Sequence, residues 1–541
     1  MTLDTQKTIS RSSFAFLSGT FLSRLSGLGR DTAMAVAFGS NPAIAAFMVA
    51  YRFANLIRRL FGEGTLSSGF IPHFEQLRAV SSEKGAQFFR DLFFSLGLFL
   101  ILLIGGIEVV LWGILKWGNL LPDNAQILYL TMLMMPGIPF LCLFGLSSGL
   151  LQCERRFFLT GFAPVAFNLV WIVATLWLKN EDPSVAVIPL SLAIILAFFM
   201  QWAILAPKTW TLLKASLSWK GCFSPILFPR ELRPMIKPFL LGIVGVGAVQ
   251  INSALDGVFA RFASLEGPAY LWYAIRIEQL PLALFGIAMS AALLPPLARA
   301  LKEGFYEQYL KLLRFALRRS FSLIFPCMLA IFVLGIAGIN LLYGHGDFSM
   351  EATCQTALCL WAYGLGLLPA VFVLLLAPAF YANKDFRTPM GGSVASVIFH
   401  LLLTSLFVFG LGWGAFSIAI ATSLSAWFNY FYLSFHLSKK IGEPLLDGAV
   451  FRSFLKTGAC AVIATALTVL VGQFFAGDPT FKIAMGDSGV LLTREVSQQL
   501  MQFLCLSGTF VLTFFSYAWM VNAEDVLEII GMKRKGALDG V

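Results

Sequence analysis

Long apolar runs, each closed by a short polar connection, recur along the whole chain. A run of about 20 apolar residues is what an α-helix needs to cross the hydrocarbon core of a bilayer. Read with a window of about 19 residues, the pattern places spans near 14–38, 43–70, 88–115, 126–152, 157–178, 184–206, 234–263, 268–298, 319–343, 352–381, 388–411, 414–436, 453–475 and 499–521. The prediction is an all-α polytopic membrane protein of about fourteen transmembrane helices. The first run, from Phe14 to Phe38, is too long for a signal-peptide core and carries Arg24, Arg30 and Asp31. It therefore reads as a retained span.

Charge in the connections supports this division. Arg78, Lys84 and Arg90, then Arg155 and Arg156, Lys208 through Lys237, Arg299 through Arg319, Lys384 and Arg387, and finally Lys439, Lys440 and Arg452 fall in every second connection. The positive-inside rule makes that side the cytoplasm and puts both termini there. The opposite loops are poor in Lys and Arg; the longest, between the last two spans, holds Asp478, Lys482, Asp487, Arg494 and Glu495.

An internal repeat sets the domain organisation. The segment from Tyr51 lies on the segment from Ile275, with Arg52 on Arg276, Asn55 on Gln279, Phe61-Gly62 on Phe285-Gly286, and Pro72 on Pro296. At a similar offset, QCERRFFLT from Gln152 lies on YANKDFRTP from Tyr381. An offset of six spans returns the chain to the same side, so the halves are parallel repeats that enclose a substrate site. The expected organisation is an N-lobe of six spans over 1–206, a cytoplasmic linker over 207–233, a C-lobe of six spans over 234–436, and two further spans with a cytoplasmic tail over 437–541.

Composition excludes several classes. The 541 residues are 58% hydrophobic and 13% charged, with a mean hydropathy of +0.79, against about 45–50% and about 25% in soluble domains. The net charge of +10 is spread over the connections instead of forming one stripe, which argues against nucleic acid. The eight cysteines are scattered without a CxxC pair, and His73, His345, His400 and His436 stand far apart. Neither disulfides nor Cys/His metal sites are expected. With no GxSxG and no Walker-type loop, the sequence reads as a transporter and not an enzyme; ATP drive would need another chain.

The chemistry lies in the charged residues inside the spans. Arg24, Arg30 and Asp31 sit in the first span, and Arg52, Arg58 and Arg59 in the second. An arginine at a helix centre costs about 2.5–3.5 kcal/mol, so three or four cost on the order of 10 kcal/mol and must face protein, water or an anionic ligand. At 3.6 residues per turn Arg24 and Asp31 share a face, as do Arg52, Asn55 and Arg59, while Arg58 lies on the flank. Gly27 and Gly29 offer a place for the first span to bend and turn Arg30 inward. Plainer roles stand beside this one: Arg58 and Arg59 snorkelling to headgroups, and Arg30 simply pairing with Asp31. Arg24 and Arg276 have no sequence-adjacent acid. A guanidinium fork matches phosphate or pyrophosphate with two parallel hydrogen bonds. The acids in spans are Asp31, Glu63, Glu108, Asp256 and Glu278. Asp256, near Asn252 and Gln250, suits either a cation or a hydrogen bond to a neighbouring helix.

The stretches SRLSGLGRD, NLIRRLFGEGTLSSGFIP, WYAIRIEQLP with LLPPLARA after it, and FYANKDFRTP resemble those of the MurJ (MviN) lipid II flippases, a family of the multidrug/oligosaccharidyl-lipid/polysaccharide exporter superfamily. The resemblance covers nearly the whole chain. It implies fourteen helices, two six-helix lobes around a cationic cavity, and a groove shaped by the last two helices for a polyprenyl tail. It carries substrate-binding roles to Arg24, Arg30, Arg58 and Arg276, with Asp31 beside Arg30; Arg52, Arg59 and Gln279 join them as neighbours on the same helices. It also points to Asp256, and to Asp385 as a second candidate, for a sodium site, the sodium ion being the one cofactor considered. Two positions depart from the pattern: Ala45 stands where many relatives have an aspartate, and Gln279 stands where an acid follows the eighth-span arginine. Glu278 is adjacent but a hundred degrees round the helix.

The expectation is a flippase that moves lipid II from the cytoplasmic to the periplasmic leaflet of a bacterial inner membrane by alternating access through a cationic central cavity. Its partners would be lipid II, membrane lipids and cell-wall synthesis proteins. The rival readings are a flippase for another polyprenyl-pyrophosphate oligosaccharide of O-antigen type, a cation-coupled drug exporter, and a non-transporting scaffold. The arginines argue against the last two.

Overall fold

Apolar helices end where a side chain or a turn residue satisfies their free backbone groups, and the caps in this chain show it. Ser81 Oγ accepts the Lys84 amide at 3.1 Å, Asp182 accepts the Ser184 amide at 2.8 Å ahead of Pro183, and Ser349 Oγ accepts the Ala352 amide at 3.0 Å. Gly442 closes its helix in the left-handed region at φ 77°.

The computed structural model describes residues 6–61, 65–154, 156–476 and 492–528. Gly62, Glu63, Arg155, Asp478, Lys482 and Asp487, singled out above, lie outside the described residues. Among the described residues the structure is helical, without strands. The helices are α1 (Gln6–Phe38), α2 (Pro42–Phe61), α3 (Thr65–Val80), α4 (Ser82–Trp117), α5 (Pro122–Met134), α6 (Ile138–Cys153), α7 (Phe157–Phe162), α8 (Pro164–Leu178), α9 (Pro183–Ala203), α10 (Ala206–Ser216), α11 (Trp219–Cys222), α12 (Arg233–Ala263), α13 (Gly267–Pro281), α14 (Ala288–Lys302), α15 (Tyr306–Tyr343), α16 (Met350–Ala382), α17 (Arg387–Ser405), α18 (Phe416–Ile441), α19 (Gly448–Ala476), α20 (Val496–Met520) and α21 (Glu524–Leu527).

Among the described residues, ten helical segments are long and apolar enough to cross a membrane. The other four predicted spans are helical as α1, α2, α12 and α18; three arginines in α2 and the Ser, Asn and Tyr residues of α18 lower their apolarity. Helices also overrun the predicted spans at polar ends. α15 starts at Tyr306, ahead of the expected 319, because its first turns are amphipathic and a hydropathy window registers only the apolar part. Pro281 removes an amide donor, and the chain continues as a π-helical turn, Leu282–Ile287, before α14.

The chain divides into two compact units, Met1–Val258 and Phe259–Val541. In the first, α2, α8 and α9 meet through aromatic rings: Tyr51 lies 4.9 Å from Trp171, and Phe167 lies 5.3 Å from Phe198. Gly19 lets α1 touch the backbone of α7, since a Cβ there would sit 2.8 Å from the Phe158 carbonyl oxygen.

In the second unit α16 packs on α13, α15 and α18, while α19 and α20 pack on each other and on α15 through Val333, Ala461, Ala464, Phe510 and Phe514. The α16–α18 contact requires Gly366: a Cβ would lie 2.6 Å from Ser423 Oγ and 2.8 Å from Ser423 Cα. Gly366→Val is expected to destabilise by about 1–3 kcal/mol through overpacking. The check is the thermal unfolding midpoint in detergent beside Gly508→Ala, a position where an added Cβ meets nothing within 4 Å. Equal midpoints for the two variants would refute this account of the contact.

Candidate functional site

A cation buried in an apolar helix needs an acid, a dipole or an aromatic face, and Arg30 has all three. Its NH2 lies 2.7 Å and its Nε 3.0 Å from Asp31 Oδ1, its NH1 donates to Asn168 Oδ1 at 3.1 Å, and its guanidinium sits 4.6 Å from the centroid of Trp171. Arg30 is 6% and Asp31 1% exposed. Asn168 also donates to Ser26 Oγ at 2.9 Å and to the Ser23 carbonyl at 3.1 Å. The Arg30–Asp31 pair therefore fastens α1 to α8. Arg24 lies on the same helix with an exposed side chain, beside exposed Phe21, Leu22 and Leu25.

The second span places Arg52 and Arg59 along α12. Arg52 NH1 donates to the Ser253 carbonyl at 3.4 Å, and Arg59 NH1 donates to Gln250 Oε1 at 2.6 Å. Gly257 makes room for Arg52, because a Cβ there would lie 3.2 Å from Arg52 Cδ. The face shared by Arg52, Asn55 and Arg59 thus turns its two arginines to α12. Asn55 Oδ1 is buried without a hydrogen-bond partner among the described residues. Arg58 is half-buried, and Asp256 is buried on α12.

In the second unit Arg276 is half-buried, with its guanidinium 4.4 Å from the centroid of Trp272, four residues earlier on α13. Gln279 is half-buried and Glu278 buried. Asp385 lies in the connection between α16 and α17. Its Oδ1 accepts the Thr388 amide at 3.1 Å, and its Oδ2 accepts Thr388 Oγ1 at 3.0 Å and Lys440 Nζ at 3.1 Å. Desolvation pushes this carboxyl up, but the bonds from Thr388 and Lys440 outweigh it and hold the pKa below the ordinary aspartate value. Asp385 therefore caps α17 and ties it to the end of α18. Among the described residues no group of three or more His, Cys, Asp or Glu side chains has the arrangement to hold a metal ion.

The model of the family described as lipid II flippase MurJ matches residues 34–484. The chain belongs to the MurJ family. A probable lipid II flippase MurJ of Chlamydia pneumoniae is 31% identical over 534 residues, covering 97% of this chain and 95% of the relative. A lipid II flippase MurJ of Burkholderia cenocepacia is 30% identical over 461 residues, covering 82% and 87%. Among solved structures, a lipid II flippase MurJ in an inward closed conformation superposes with a TM-score of 0.72 at 22% identity, covering 94% of this chain and 99% of that one. An inward-facing multidrug resistance MATE family transporter superposes with a TM-score of 0.59 at 16% identity, covering 79% and 98%. These likenesses show the fold that MurJ shares with more distant transporters. The chain is a multi-pass membrane protein of a transporter family.

Sequence reasoning missed Asn168, Trp171 and Trp272 as partners of the MurJ-type arginines. Trp272 was within reach of it, since an aromatic residue four positions before Arg276 shares its helix face. Asn168 carried a fainter signal, a single amide inside the apolar run PVAFNLVW.

Proposed function

We propose that this protein carries lipid II from the cytoplasmic to the periplasmic leaflet of a bacterial inner membrane, making and breaking no covalent bond, with both termini in the cytoplasm. The observation that carries the reading is the MurJ-family match over residues 34–484. The arginines held in α1, α2 and α13 give it a chemical basis. Arg24 and Arg58 in the first unit and Arg276 in the second each donate to the pyrophosphate at some stage of the cycle, with Arg52, Arg59 and Gln279 flanking them. Arg30 and Asp31, whose groups are already engaged with one another and with Asn168, position α1. Cell-wall synthesis proteins are the proposed protein partners. A sodium ion at Asp256 is the candidate coupling ion; Asp385 is taken up by Lys440 and Thr388.

An inside-negative potential contributes about 2.3 kcal/mol per charge per 100 mV. It favours outward movement of the anionic headgroup and also the inward return of an emptied cationic site. Depleting the protein in its own cell should make lipid II accumulate on the inner face while other surface glycans still appear. Unchanged exposure of lipid II on the outer face after depletion would redirect the reading to another polyprenyl-pyrophosphate glycan.

A further inference from the structure

A cavity of about 240 Å³ lies where α4, the end of α9, α10 and α11 meet, walled by Phe93, Phe94, Trp202, Trp210, Leu213 and Phe223. We propose that it holds one acyl chain of an anionic glycerophospholipid, with the lipid's phosphate at Lys214. The proposal rests on the chain being a multi-pass membrane protein and is independent of lipid II transport.

The wall is apolar and aromatic, yet two polar atoms at the cavity, Trp202 Nε1 and Thr209 Oγ1, are buried without a hydrogen-bond partner among the described residues. A buried indole N–H ordinarily finds an acceptor, and the ester carbonyl at the head of an acyl chain is one. Sites for whole drug-sized ligands measure about 300–1,000 Å³; a smaller apolar space fits a single chain whose remainder lies outside.

The rim supplies the other half of a lipid. Lys214 Nζ is 4.4 Å from the centroid of Trp219 and 5.2 Å from that of Trp210, which puts an exposed ammonium against one of the cavity's wall residues, Trp210. Trp219, Phe223, Ile226, Leu227 and Phe228 are all exposed and follow one another closely in the chain, an apolar patch of the kind that meets a membrane surface. Lysines over an interfacial aromatic patch attract anionic headgroups.

The mouth is also firmly built. Arg90, paired with Asp91 at 2.7 Å, donates from NH1 to the Gly221 carbonyl at 2.6 Å. Asp91 accepts the Ile226 amide at 2.9 Å, and Ser95 Oγ accepts the Phe228 amide at 2.8 Å. The last contact holds Phe228 at φ 50°, in the left-handed region that a phenylalanine rarely adopts. The connection is therefore tethered to α4 at three points, which holds Phe223 in the cavity wall.

The test uses the full chain in nanodiscs of phosphatidylglycerol and phosphatidylethanolamine. A phosphatidylglycerol with a photoreactive group at one acyl terminus is crosslinked, and its sites are mapped by peptide mass spectrometry. Crosslinks should concentrate in 89–94 and 202–223. Leu213→Trp, which fills the cavity, should lower them about tenfold. Lys214→Glu, at an exposed position that leaves the walls intact, should instead remove the preference for phosphatidylglycerol over an equally photoreactive phosphatidylethanolamine. Crosslinks spread evenly over the other membrane-facing helices and unchanged by Leu213→Trp would overturn the site. Equal labelling of the native protein by both lipids would overturn the anionic class.

Discussion

Arg276→Glu is expected to abolish lipid II translocation in reconstituted vesicles, while the variant inserts and purifies like the native protein. Arg276 is half-buried on α13, over the face of Trp272. The substitution removes a cation–π contact of roughly 0.5–2 kcal/mol, which a folded helix tolerates. For an anionic ligand the change is far larger. At about 4 Å and an effective dielectric of about 20, one charge pair is worth about 4 kcal/mol, and reversal turns that attraction into repulsion of similar size. A swing of that order exceeds four tenfold steps at 1.4 kcal/mol each. The assay is the accessibility of fluorescent lipid II to an external probe. Arg276→Lys, which keeps the charge and loses the fork, should retain part of the activity. Native translocation by Arg276→Glu would place Arg276 off the path.

The helical, membrane-spanning class was legible because apolar runs report burial in lipid whatever their internal register. The same insensitivity hid the π-helical turn Leu282–Ile287, which changes hydrogen-bond register without changing hydropathy. The face shared by Arg52, Asn55 and Arg59 followed from helical spacing, and the bonds to Ser253 and Gln250 show what two of its members meet. Spacing was less useful for Asp31. It put Asp31 on the face of Arg24, whereas the carboxylate makes the plainer pairing with Arg30, because a long side chain can reach an acid a hundred degrees round the helix. Asn168 stayed invisible for a different reason: a lone amide in an apolar run has no periodic companion, and its meaning depends on which helix packs against it. The arginines themselves were conspicuous because their cost in a membrane demands an explanation; whether that explanation is a ligand or a neighbouring side chain is a tertiary fact.

Asp31→Leu should destabilise the protein by about 3–5 kcal/mol, because it leaves the Arg30 guanidinium buried without its carboxylate. Asn168, at 3.1 Å, and the face of Trp171 stay beside it, and neither carries a countercharge. The measurement is the unfolding midpoint and the yield of monodisperse protein in detergent. A second variant separates structure from ligand binding. Replacing both residues, Arg30→Met with Asp31→Leu, removes the charge and its counterion together, and buried pairs exchanged for apolar groups of similar volume are often neutral in stability. The double variant should therefore recover the native midpoint. It should also recover translocation to within about tenfold, since the donors of Arg30 are already engaged with Asp31 and Asn168 and its task is to hold α1 against α8. A double variant that folds normally but moves no lipid II would instead assign Arg30 a direct contact with the headgroup, made after its pairing with Asp31 opens during the transport cycle.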